Sequence, residues 1–76
     1  MYLAIKSVLP QDDYILLLSF ENGESRRFDM KPYLDIGIFQ ELRNENMFRT
    51  VKTSFDAIEW GNGADFDPEV LYERGY

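Results

Sequence analysis

The sequence predicts an α+β domain: a small antiparallel, hairpin-rich sheet with short helices and a C-terminal helical turn packed on it. Three observations predict it. The first thirty residues read as strand-like runs broken by two turn clusters, Pro10-Gln11-Asp12-Asp13 and Glu21-Asn22-Gly23. The middle holds only brief helical patterns, none long enough to be stable alone. Near the end, Asp67-Pro68-Glu69 and Gly75 bracket a helix start and stop. At 76 residues, a single domain spanning 1–76 is expected.

The first strand is expected over Leu3 to Leu9, where apolar residues alternate loosely before the Pro10–Asp13 turn. Tyr14 to Phe20 forms the second strand and Glu24 to Met30 the third. Their register can be argued from the faces it creates. A two-residue Asn22-Gly23 turn would set Leu18 against Arg27 and Leu16 against Asp29. A three-residue loop, with Gly23 left-handed, sets Leu18 against Arg26, Leu16 against Phe28 and Tyr14 against Met30. One slip inverts every side chain, and the second register gathers the apolar groups on one face. Ile15 and Leu17 then point the other way, so this strand is expected to be central and partly covered on both faces.

Pro32 suits the first position of a helical turn over Pro32-Tyr33-Leu34, although Lys31 is a poor cap before it. Gly37 breaks the chain ahead of a second turn, Ile38 to Leu42. Asn44 can cap a third piece containing Met47 and Phe48. Val51-Lys52-Thr53 and Ala57 to Trp60 read as two more strands, with Ser54-Phe55-Asp56 turning between them. Gly61-Asn62-Gly63-Ala64-Asp65-Phe66 reads as a tight turn leading into the final helix. No internal repeat or low-complexity tract is evident.

Composition bounds the chemistry. Hydrophobic residues make up 45% and charged residues 29%, the range of a folded domain. At this length apolar burial and chain ordering nearly cancel, so the fold is marginal. Aromatics reach 16%, which supplies large buried area from few side chains. The chain lacks cysteine and histidine, removing disulfides, thiol chemistry and the usual imidazole base. Its four serines have no histidine to activate them, and no catalytic residue is expected. No cofactor is expected either: Gly61-x-Gly63 lacks the third glycine of a dinucleotide loop. Asp65-x-Asp67-x-Glu69 has the acid spacing of a calcium loop, but Pro68 interrupts it and no glycine follows at the sharp turn. The longest apolar run, Ile15 to Leu18, is far too short to span a bilayer, and Met1 to Lys6 lack the pattern of a signal peptide. The cytosol is the expected compartment, with no membrane partner.

The net charge of −6 is unevenly placed. From Asp56 onward six acids face one base, Arg74, a local charge of −5. Such a lobe repels phosphates, which argues against direct nucleic-acid binding. Arg26-Arg27, a basic doublet on a strand, splits its side chains between two faces.

Two stretches carry a family resemblance. The first is Leu16-x-Leu18-x-Phe20-x-Asn22-Gly23 with Phe28-Asp29-Met30-Lys31-Pro32-Tyr33-Leu34. The second is Ile58-x-Trp60-x-Asn62-Gly63-Ala64-Asp65-Phe66-x-Pro68-x-x-Leu71-Tyr72. Over nearly its whole length the chain resembles the family called domain of unknown function 2442, small bacterial domains. It departs at Gly61, where proline is frequent, and at Lys31, where a capping serine is common. The resemblance implies a small α+β fold, followed in some members by a helix-turn-helix DNA-binding domain. With the chain stopping at Tyr76, DNA binding is not carried over. The resemblance also implies a gene neighbourhood reminiscent of toxin–antitoxin pairs, and it implies no catalytic residue.

The expected function is therefore a non-catalytic interaction module, the acidic, antitoxin-like or regulatory member of a two-protein pair. A small basic protein would gain on-rate from the acidic lobe. Homodimerisation through a sheet edge is the other association compatible with this reading. Candidate contact residues are Trp60, Phe66, Tyr72 and Tyr76, with Asp65 and Glu69 steering. Trp60 and Phe66 are equally good core residues. The alternative function is a small-ligand-binding domain, with its pocket between the sheet and the Trp60–Asp65 turn.

Overall fold

The computed structural model describes residues 4–76. Leu3, in the expected first strand, lies outside the described residues. Three strands, β1 (Ile5–Gln11), β2 (Ile15–Phe20) and β3 (Ser25–Asp29), form one antiparallel sheet in that order. A second antiparallel sheet orders β4 (Lys52–Ser54), β5 (Ala57–Glu59) and β6 (Asp65–Phe66). Between the sheets run 3₁₀ turns over Lys31–Tyr33 and Gly37–Arg43, then helix α1 (Glu45–Phe48). Helix α2 (Pro68–Arg74) closes the chain. The architecture is α+β, with two small sheets where the sequence suggested one.

The hairpin register follows the face argument. Leu16 pairs with Phe28 and Leu18 with Arg26, around the three-residue loop Glu21-Asn22-Gly23 with Gly23 at φ +88°. Leu16, Leu18 and Phe20 consequently face the core with Phe28 and Met30, all buried. They join Ile58 of β5 and Trp60 just after it, Leu34, Leu42 and Phe48 from the middle, and Leu71 of α2 in one cluster. Burying a side chain of this size stabilises the fold by roughly 1.5–3 kcal/mol.

Three local expectations need correction. Pro10 and Gln11 continue β1 instead of turning, opposite Leu16 and Ile15. Arg27 turns its N–H and C=O outward, so antiparallel alternation puts the Pro10 nitrogen on the open edge of β1, where its missing N–H costs nothing. Tyr14, expected in a strand, ends a 3₁₀ turn at φ +60°, although its carbonyl still accepts from Met30 N at 2.9 Å. Asp65-Phe66, expected in a turn, forms β6.

The caps fall where the residue types place them. Asn44 accepts from Asn46 N and Asp67 from Glu69 N. Before Pro32, Asp29 Oδ1 accepts from Lys31 N at 2.9 Å and does the work of a capping serine. Gly61 N donates to Thr50 Oγ1 at 2.8 Å, a bond proline could not make.

The chain also contains a repeated loop. In Phe20-Glu21-Asn22-Gly23-Glu24 the aromatic N–H donates to the fifth residue's carbonyl at 2.8 Å, the glycine N–H to the aromatic carbonyl at 3.0 Å, and the fifth N–H to Asn Oδ1 at 3.0 Å. Trp60-Gly61-Asn62-Gly63-Ala64 repeats all three bonds at the same lengths, with Gly63 at φ +91°.

Candidate functional site

The second sheet has an inner and an outer face. Ile58 is buried inward, between Ala57 and Glu59, which turn outward. On that outer face Glu59 stands between Lys52 and Asp65, its cross-strand partners, and Ser54 stands beside Ala57. Glu59 beside Asp65 is a like-charge pair on adjacent strands, a destabilising arrangement in the isolated chain. With Ser54, Phe55, Ala57 and Ile58 these acids line a shallow groove of about 260 Å³.

The tip beside that groove is unusual. Phe55 and Asp56 link β4 to β5, both with positive φ (+48° and +72°), as in the tight turns that match strand twist. Asparagine, aspartate and glycine suit that conformation, whereas a bulky L-residue there costs roughly 1–2 kcal/mol. Phe55 nevertheless occupies it and is 98% exposed. The tip is anchored behind: Ile5 N donates to the Asp56 carbonyl at 3.0 Å, holding the hairpin against β1.

The residues singled out from the sequence do not form one patch. Trp60 is a core residue, 1% exposed, donating its indole N–H to the Phe48 carbonyl at 3.0 Å and packed near Phe39 and Phe48. It is corrected from contact residue to core. Phe66 is half-buried in a ring cluster, 5.2 Å from Phe28, 5.3 Å from Tyr33 and 5.4 Å from Phe39. Tyr72 sits edge-on to Phe20 at 5.2 Å with the Arg26 guanidinium 4.5 Å above its ring. Its hydroxyl interacts with Glu24, which holds that carboxyl below its ordinary pKa and raises the phenol's. Tyr72 thus fastens α2 to the first hairpin.

Tyr76, 68% exposed, lies along the far edge of β3, exchanging both backbone hydrogen bonds with Arg27 at 2.8 Å. Gly75 permits this approach, since a Cβ would meet Leu71 O at 2.7 Å and Arg26 Cβ at 2.9 Å. Of the six, Asp65 alone lines the groove beside Phe55, while Glu69 is exposed at the start of α2. Phe55, read in the sequence only as a turn residue, is the one that reasoning passed over. The signal was available: a large aromatic in a two-residue turn has no local reason to be there.

Among the described residues no helix is long and apolar enough to cross a membrane. Comparison with curated proteins and with solved structures returns no match for the chain. A family model does match, over residues 5–76, nearly everything the two sheets and their connections contain. The chain belongs to the family described as proteins of unknown function, DUF2442.

Proposed function

We propose that the chain is a non-catalytic interaction module, the acidic and antitoxin-like or regulatory member of a two-protein pair, working in the cytosol. Its docking face is the outer side of the β4–β5–β6 sheet. The observation that carries this reading is Phe55, fully exposed on a left-handed backbone beside the Glu59–Asp65 pair. A partner that buried Phe55 would gain roughly 1.5–3 kcal/mol from its apolar surface. A lysine or arginine entering the groove would relieve the repulsion between Glu59 and Asp65. The surrounding charge favours such a partner, because residues from Asp56 onward carry −5 and would steer a basic protein inward. The same field opposes nucleic acid. Small-ligand binding has less support: Asn62 Nδ2 reaches the Ile38 carbonyl at 3.4 Å and draws the Trp60–Asp65 loop toward the 3₁₀ segment.

Affinity capture from the protein's own cell lysate tests the proposal when run with variants at two salt concentrations. A small basic protein should elute near stoichiometrically with wild type at low salt. It should be lost with Phe55→Asn and with Asp65→Lys, and weakened by salt. Recovery of the same protein by all three chains would refute the assigned face.

A further inference from the structure

The outer face of the first sheet poses a separate question. Register places Gln11, Ile15 and Asp29 in one row, Leu9, Leu17 and Arg27 in the next, and Ser7, Ser19 and Ser25 in a third. All point away from the core, because their neighbours Leu16, Leu18 and Phe28 point into it. The sequence led to an expectation of partial cover for Ile15 and Leu17, and both are half-buried on the central strand, while the edge beside them is open. Leu9 is 57% exposed, and neither Ile15 nor Leu17 packs against the core cluster. Leu17, Arg27 and Tyr76 line an open groove of about 420 Å³ at one side of it. The helices and 3₁₀ turns add their buried residues to the opposite side, leaving an aliphatic stripe on a sheet face.

We infer that this face is a self-association surface, and that its occupant is a second copy of the same chain. Charge decides the occupant. Two molecules of net charge −6 repel most strongly where their acids cluster, whereas this face carries one arginine, three serines, a glutamine and a single acid, Asp29, already ion-paired with Lys31 at 3.2 Å. A basic partner finds nothing to attract it here. The pattern is also self-complementary about a two-fold axis parallel to β2. That operation sets Leu17 on Leu17, Ile15 on Ile15, Leu9 on the Arg27 stem and Gln11 on Asp29 of the second copy. The perpendicular axis would set arginine on arginine. The footprint, on the order of 300 Å² per copy from strand spacing, falls well short of the ~800 Å² per partner of a standard interface. The association is therefore weak and transient, and salt strengthens it by screening the repulsion between copies.

This surface shares no residue with the Phe55 groove, so the two readings stand or fall separately. The test is sedimentation equilibrium up to about 0.5 mM chain, at about 50 mM and about 500 mM sodium chloride. Wild type should self-associate, more strongly at the higher salt. Leu9→Lys, at a position exposed enough to leave the fold intact, should weaken association at least about tenfold. Phe55→Asn should leave it unchanged. A monomer under every condition, association that survives Leu9→Lys, association lost with Phe55→Asn, or association that weakens with salt would each overturn the inference.

Discussion

The two sheets are built alike and finished differently. Each is a three-strand antiparallel meander whose first connection contains two consecutive left-handed residues, Asp13-Tyr14 in one and Phe55-Asp56 in the other. Each closes its second connection with the same aromatic-x-Asn-Gly loop. The first sheet has strands of five to seven residues and an outer face that is aliphatic and nearly neutral. The second has strands of two and three residues and an outer face bearing Lys52, Glu59 and Asp65, with a bare phenylalanine at its tip. Backbone chemistry is shared while surface chemistry diverges, so the difference between the faces is where function is to be sought.

The comparison can be broken most severely at the core the sheets share. Trp60→Ala removes a buried indole and its bond to Phe48, an expected loss of about 3–5 kcal/mol, read by urea unfolding. In a chain this small that should leave little folded population. Phe55→Ala, the same kind of truncation on an exposed aromatic, should leave stability within about 0.5 kcal/mol. A large loss at Phe55 would mean that the tip is structural.

The loop equivalence is sharpened by glycine substitution. Gly23 and Gly63 share a positive φ, and a Cβ on either meets open space, so the cost of alanine is conformational alone. Gly23→Ala and Gly63→Ala should each lose roughly 1–2 kcal/mol, and by the same amount within error. Unequal losses would show that the two loops resemble each other only in hydrogen bonding. Phe55→Asn should instead raise the melting temperature slightly, gaining up to about 1 kcal/mol, because asparagine tolerates the left-handed region.

The smallest expected effect concerns the Tyr72–Glu24 contact on the first hairpin. Glu24 has a folded pKa below its unfolded value, so its contribution is present above that unfolded value and fades as pH falls through the folded one. Tyr72 has a raised pKa, so its part is present below the unfolded phenol value and fades as pH rises through the folded one. Tyr72→Phe should therefore differ from wild type at neutral pH and converge with it in acid. A constant difference across the acid range would remove Glu24 from the account.

Much of the fold was legible because short-range chemistry decides it. The first hairpin's register followed from Leu16, Leu18 and Gly23, since a one-residue slip would have turned the apolar side chains to water. The caps at Asn44 and Asp67 and the helix stop at Gly75 followed from residue type. Strand β6 did not, because two residues cannot display an alternation, although the second Asn-Gly loop was there to announce it. Pro10 was misread as a breaker because an edge position tolerates it.

The site was less legible. Weight placed on aromatics near the acidic lobe favoured Trp60, whose burial depends on Phe48 twelve residues earlier in the chain. Phe55 needed backbone φ values, and the open side of the first sheet needed knowledge of where every helix lies.

The most direct test follows backbone amide signals of the labelled protein in two titrations, one raising its own concentration at high salt, the other adding the captured basic protein at low salt. The account predicts two separate maps. Self-association should move Leu9, Leu17 and Arg27, and the basic protein should move Ser54 to Glu59 and Asp65. Coincident maps, or a basic protein that perturbs the first sheet and leaves the Phe55 tip unmoved, would contradict it.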